Sequence, residues 1–159
     1  MFQKLSVYYL HLKRHKERDC NLNLNLFGKS ISCKTTFKYL GVVFNNFMTW
    51  KTHADYVRKK VVSRVSTLER VRSFVREEAA TLVHNTLILP LFDYCDIAWS
   101  NLLQQDIYQL QHLQNRSARI ITHCSHSSEA IDELHWPTLS SRRSYHKAKL
   151  FFLFSLISS

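Results

Sequence analysis

Two carboxylates lie three residues apart in Asp93-Tyr94-Cys95-Asp96, and metal-assisted phosphoryl transfer is the chemistry such a pair invites. Two-metal catalysis needs several carboxylates converging on ions about 4 Å apart. The order Tyr94-Cys95-Asp96-Ile97 falls one carboxylate short of a Tyr-x-Asp-Asp turn, and no third acid accompanies it. The pair therefore reads as structural, at a helix surface, with Tyr94 and Trp99 in the core. A second cluster, His112, His123, Cys124, His126 and His135, holds imidazoles and a thiol, but only the HCSH stretch from His123 to His126 has the short spacing of zinc ligands. It reads as a polar loop with incidental histidines and no metal. Nucleophilic catalysis has no candidate, because the chain lacks G-x-S-x-G, a Gly-rich phosphate loop and a Cys/His pair in a recognisable context.

The basic side chains point to binding instead. A formal charge of +10 over 159 residues predicts attraction to polyanions such as nucleic acid or an anionic surface. On the first long helix lie Lys51, Arg58, Lys59, Lys60, Arg64, Arg70, Arg72 and Arg76, against only Asp55 and Glu69. A wheel at 100° per residue sets Lys60 and Arg64 on one flank of the apolar face and Lys51, Arg58 and Arg76 on the other, with Lys59 and Arg70 opposite it. Uncompensated like charges four residues apart, such as Lys60 and Arg64, slightly destabilise a helix and argue for an external anion. Arg116, Arg119, Arg142, Arg143, Lys147 and Lys149 continue the pattern.

The elements that must position these groups follow from composition and period. A hydrophobic content of 45% supports a folded chain, and two Gly with two Pro favour long helices over many tight turns. Residues 5 to 10 read as a short strand and 11 to 18 as a charged loop. Leu22, Leu24 and Leu26 alternate with asparagines as in a half-buried strand, and Phe27 to Ser30 supplies a turn into a strand from Ile31. The run Phe37 to Phe44 predicts a third, more buried strand.

From Trp50 the period becomes helical. Ala54, Val57, Val61, Val65, Leu68 and Val75 form one apolar face, with Thr49 as N-cap. A second helix starts near Glu77, breaks or kinks at Pro90 and resumes through Tyr94 to Trp99. A third carries Leu103, Ile107, Leu110, Leu113 and Ile121 after Asn101. A short helix spans Glu129 to Leu134, a corner lies at Trp136-Pro137, and a last helix runs from about Leu139. Its end, Leu150 to Leu156, is apolar on every side, which a helix in water tolerates only with a partner. The expected fold is α+β and predominantly α: a β-rich region at 1–48 with a short antiparallel hairpin, and a helical bundle at 49–159.

Phe37 to Val43 reads FKYLGVV, followed by Trp50, His53, Leu89-Pro90, Asp93-Tyr94, Trp99 and LQNRSARII from Leu113 to Ile121. In that order and at those separations the chain from about residue 20 resembles the C-terminal end of the reverse transcriptase of jockey-like non-LTR (LINE-type) retrotransposons. The resemblance implies a primer-grip hairpin and a thumb without the palm, whose carboxylates, including the Tyr-x-Asp-Asp turn, lie upstream of FKYLG in that family. It implies an RNA-directed DNA polymerase fragment that is inactive alone, with Mg²⁺ expected only in the intact parent and no cofactor in this chain. By the same resemblance Lys38, Tyr39, Leu40 and Gly41 are primer-grip positions; from the charge pattern, Lys59, Lys60, Arg64, Arg116 and Arg119 are the basic residues expected to meet nucleic acid. The partners implied are an RNA/DNA template–primer duplex and the missing fingers and palm. The alternative is a small basic helical interaction module that binds RNA or an acidic protein.

The scattered cysteines Cys20, Cys33, Cys95 and Cys124 and the polar residues after Met1 predict free thiols, no secretory leader and a reducing intracellular setting, nuclear or cytoplasmic. The longest apolar run is well short of the ~20 residues of a membrane-spanning helix, so a soluble chain with no membrane partner is expected.

Overall fold

The computed structural model describes residues 24–31 and 34–157, and the fold is α+β, predominantly α. The strand expected at 5–10, the loop at 11–18, Leu22, Cys20 and Cys33 lie outside the described residues. The chain divides into two compact units, residues 1–53 and 54–159.

The first unit holds two antiparallel hairpins: β1 (Leu24–Leu26) with β2 (Lys29–Ile31), and β3 (Thr36–Tyr39) with β4 (Val42–Asn45). The run Phe37 to Phe44 is thus a hairpin and not one buried strand. A nearly continuous run of aromatic and aliphatic residues reads as one strand, and here Leu40 and Gly41 make the turn with φ of 44° and 85°. Phe27 and Gly28 repeat the device at 50° and 73°. Two positive φ values in a two-residue loop are the hairpin geometry whose twist matches that of the flanking strands.

Phe37 and Phe44 lie opposite each other and stack at 5.1 Å, and Phe44 packs on Trp50 at 5.6 Å. Asn45 ties the hairpin to the following turn: its Oδ1 accepts the Thr49 N–H at 2.9 Å, and its Nδ2 donates to the Thr49 hydroxyl at 2.7 Å. The Thr49 side chain is therefore engaged with Asn45. His53 Nδ1 accepts the Val43 N–H at 3.2 Å, and burial lowers the imidazole pKa.

α1 (Lys51–Val71) starts in the first unit and continues into the second. Its face Ala54, Val57, Val61, Val65 and Leu68 is buried as the period requires. It ends sooner than the pattern suggests, in a 3₁₀ turn from Arg72 to Phe74. α2 (Glu77–Val83), a π-helical segment from His84 to Ile88 and α3 (Leu89–Asp93) then form one path. Pro90 sits in the first turn of α3, where its missing N–H does least harm, and the wider π turn upstream absorbs the mismatch. The helix neither stops at Pro90 nor resumes beyond Asp93. Tyr94 leaves with ψ 113°, and turns run to Trp99.

α4 (Gln104–Thr122), α5 (Ser127–Glu133) and α6 (Leu139–Ile157) complete the unit. Arg72 donates to the Ile121 carbonyl from Nε at 2.8 Å and from Nη2 at 2.6 Å, satisfying an orphan acceptor in the last turn of α4. Gln111 and Gln114 hold the Trp136-Pro137 corner: Gln111 Oε1 accepts the Leu139 N–H at 2.9 Å, and Gln114 Nε2 donates to the Pro137 carbonyl at 3.1 Å. Trp99, Phe92, Ile88, Leu110, Ile121 and Leu139 fill the core. Leu150 to Phe154, Leu156 and Ile157 are exposed, as the all-round apolar end requires. Among the described residues no helix is long and apolar enough to cross a membrane.

Candidate nucleic-acid interface

The β3–β4 turn places three expected contact residues on solvent. Lys38 is exposed and paired with Val43, so its side chain avoids the cost of burying a charge. Tyr39 is 62% and Leu40 72% exposed, unusual for large apolar groups at the tip of a hairpin. Leu40 also holds a positive φ, where a Cβ clashes with the neighbouring carbonyl at a cost of about 1–2 kcal/mol. Gly41 takes the same region without that penalty. The end of the hairpin thus exposes a cationic, an aromatic and an aliphatic side chain, Lys38 and Tyr39 on opposite faces of β3 and Leu40 in the turn, on backbone that Gly41 lets bend sharply.

In the helical unit Lys59, Lys60 and Arg64 are exposed on α1, and the Lys60 ammonium lies 4.7 Å above the Tyr56 ring. Arg116 of α4 is half-buried and binds Glu69 of α1 at 2.6 Å. Arg119 is half-buried, with its Nε shielded and lacking a hydrogen-bond partner. Glu69 marks the flank of α1 that faces Arg116, and a helical wheel puts Lys60 and Arg64 roughly 140–180° around from it. The helical candidates therefore fall on two flanks of α1, Lys60 with Arg64 on one and Arg116 on the other.

A polar network that the sequence reading did not assemble joins the turn after α3 to α6. Arg142 clamps Asp93 bidentately, with Nε to Oδ1 and Nη2 to Oδ2 both 2.7 Å. His146 Nδ1 lies 2.7 Å from Asp96 Oδ2, and the Arg143 guanidinium sits 4.7 Å over the Trp99 ring, whose Nε1–H donates to the Tyr94 carbonyl at 2.9 Å. Donation of hydrogen bonds to Asp93 raises the Arg142 pKa, while burial lowers that of Arg143. Asp96 is 3% exposed and thus buried, whereas Tyr94 is 51% exposed. Both differ from the expected surface Asp96 and core Tyr94, because the helix ends at Asp93 and the following turns rotate the side chains away from helical register.

Ligand atoms of Asp93, Asp96 and His146 lie within 4.8 Å of one another. Arg142 already occupies both oxygens of Asp93, so the arrangement works as an ion-paired strut between segments some fifty residues apart. The i,i+3 acids and the i,i+4 pair Arg142 and His146 were the available signal, but separation in sequence hid their meeting. Buried His84 stacks on Trp136 at 4.0 Å, and desolvation lowers its pKa to about 4.

Comparison with known sequences finds 27% identity over 111 residues with the "Retrovirus-related Pol polyprotein from type-1 retrotransposable element R1 4" of Nasonia vitripennis. The alignment covers 68% of this chain, and the chain spans only 28% of the length of that relative. The similarity supports a retrotransposon-related origin. No protein-family model and no solved structure matches the chain.

Proposed function

We propose that the chain is the non-catalytic, template–primer-gripping part of a retrotransposon RNA-directed DNA polymerase of the jockey-like non-LTR type. The β3–β4 hairpin takes the primer-grip role and α1 to α6 the thumb. The observation that carries this reading is the hairpin tip, where Lys38, Tyr39 and Leu40 are held on solvent by a strained turn in the segment that resembles the family's primer grip. Similarity to a retrotransposon Pol polyprotein supports the same origin. The mechanism is positional: cations meet phosphate oxygens and fix the duplex without reading its sequence, while the hairpin tip packs against the strand end. The catalytic carboxylates and their Mg²⁺ belong to the palm of the parent polymerase, which with its fingers completes the partner set.

The experiment is affinity for an RNA/DNA hybrid as a function of salt. Each neutralised phosphate contributes a log–log slope of about 0.9 on B-DNA, so Lys60→Gln with Arg64→Gln should flatten the slope by about two. Lys38→Gln with Tyr39→Ala should weaken binding to a hybrid with a recessed 3′ end more than to a blunt one. Undetectable binding at low salt, or binding indifferent to both pairs of substitutions, refutes the grip and leaves these charges as a solvated face.

A further inference from the structure

We propose that the recess between α1 and α4 binds an unpaired nucleotide of a nucleic-acid single strand, its base stacked on Tyr108 and its phosphate held by Arg58. This rests on the nucleic-acid reading above, but names a different ligand form and the opposite flank of α1 from Lys60 and Arg64.

The recess has a volume of about 350 Å³ and is lined by Arg58 and Val62 of α1 and by Tyr108, Gln109, His112 and Leu113 of α4. That is the low end of the roughly 300–1,000 Å³ of ligand-sized clefts. Val62 and Leu113 give it an apolar floor, and Leu113 is 7% exposed. Tyr108 is 69% exposed, with His112 tilted beside it at 6.5 Å, so most of the phenol ring meets solvent at the rim of the recess. An exposed aromatic beside an apolar floor is the platform on which bases stack in single-strand binders.

Arg58 supplies the anion partner. Of the five N–H donors of a guanidinium, it uses one, from Nη2 to Asp55 at 3.2 Å; its Nε is buried, so the remaining Nη donors of this 41% exposed side chain are the ones left for an anion. Glu69, about two turns beyond Val62 on the same flank of α1, is already neutralised by Arg116. The net charge of +10 favours the approach of a polyanion to the chain as a whole. Within a paired duplex the bases are stacked on one another, and only the two end pairs offer a free face. An unpaired nucleotide supplies both parts, a π-face for Tyr108 and a phosphate for Arg58.

Fluorescence anisotropy on the full chain, with a labelled single-stranded oligothymidylate and a blunt RNA/DNA hybrid of equal length, tests this. Tyr108→Ala should weaken single-strand binding about tenfold, within the range of one lost base stack, and leave hybrid binding unchanged. Tyr108→Phe should restore it. Arg58→Gln should lower the single-strand salt slope by about 0.7. Because Tyr108 is exposed, its removal leaves the core intact, and an unchanged circular dichroism spectrum confirms that. Single-strand affinity indifferent to Tyr108→Ala, or an equal loss on the hybrid, overturns the proposal. So does Tyr108-dependent binding of poly-glutamate without Tyr108-dependent binding of the oligonucleotide, which would make the recess a peptide site. Loss of hybrid binding with Tyr108-dependent single-strand binding intact would sink only the duplex grip, and the reverse pattern would sink only the recess.

Discussion

His84 gives the chain a pH-dependent stability whose size follows from its surroundings. The imidazole is 1% exposed, stacked on Trp136, and its Nε2 has no hydrogen-bond partner. Desolvation lowers its pKa from 6.5 to about 4, with Arg142 acting in the same direction and the Asn85 hydrogen bond and Asp93 opposing. The folded state therefore favours the neutral ring. This contribution is fully present above the unfolded pKa of 6.5 and is lost as pH falls toward 4. At pH 5 the unfolded ring is almost fully protonated and the folded ring hardly at all, a population ratio of about thirty, worth about 2 kcal/mol. Urea unfolding followed by tryptophan fluorescence at pH 7.5 and 5.0 measures the total loss. His53, whose pKa burial also lowers, adds a slope of the same sign. The comparison is therefore between the parent chain and His84→Leu, which keeps an apolar side chain against Trp136 and removes the titration. The parent should lose about 2 kcal/mol more than the variant over this interval. Equal losses in the two proteins would refute the reasoning.

The strut between the turn after α3 and α6 should also be measurable. Arg142→Met strands the carboxylate of Asp93, which is 24% exposed, and should cost about 2 kcal/mol, between values for buried and surface pairs. Asp93→Asn in the same background should recover much of that loss in a double-mutant cycle of urea midpoints, and additive losses would contradict the pairing. Removing everything after Lys149 deletes the exposed apolar end of α6, so the shortened chain should sediment as a smaller species than the full one; a full chain that is already a monodisperse monomer without a dye-accessible apolar patch would contradict it.

Periodicity and charge made the helical part legible. Ala54, Val57, Val61, Val65 and Leu68 recur at helical steps and are buried where that period puts them, because a single helix needs no distant residue to define its apolar face. The same logic placed the start of α6 at Leu139 and the exposure of its apolar end. The order of motifs pointed to retrotransposon ancestry, which the similarity to a Pol polyprotein supports.

Tertiary structure decided what depends on two segments meeting, or on backbone that sequence pattern does not report. The reversal at Leu40 rests on two left-handed residues, one of them a leucine that turn preferences would not select. The π segment around His84 lets the chain pass Pro90 without breaking; α3 ends at Asp93, and the turns beyond it leave Tyr94 exposed and Asp96 buried. Arg116, a candidate for external phosphate, meets Glu69 at 2.6 Å, and Arg142 and His146 find their carboxylates about fifty residues upstream. A charge in sequence is only a potential contact; folding fixes which charges neutralise one another and which, like Lys60 and Arg64, are left facing solvent, because side-chain pairing is set by distances in space that a one-dimensional pattern does not contain.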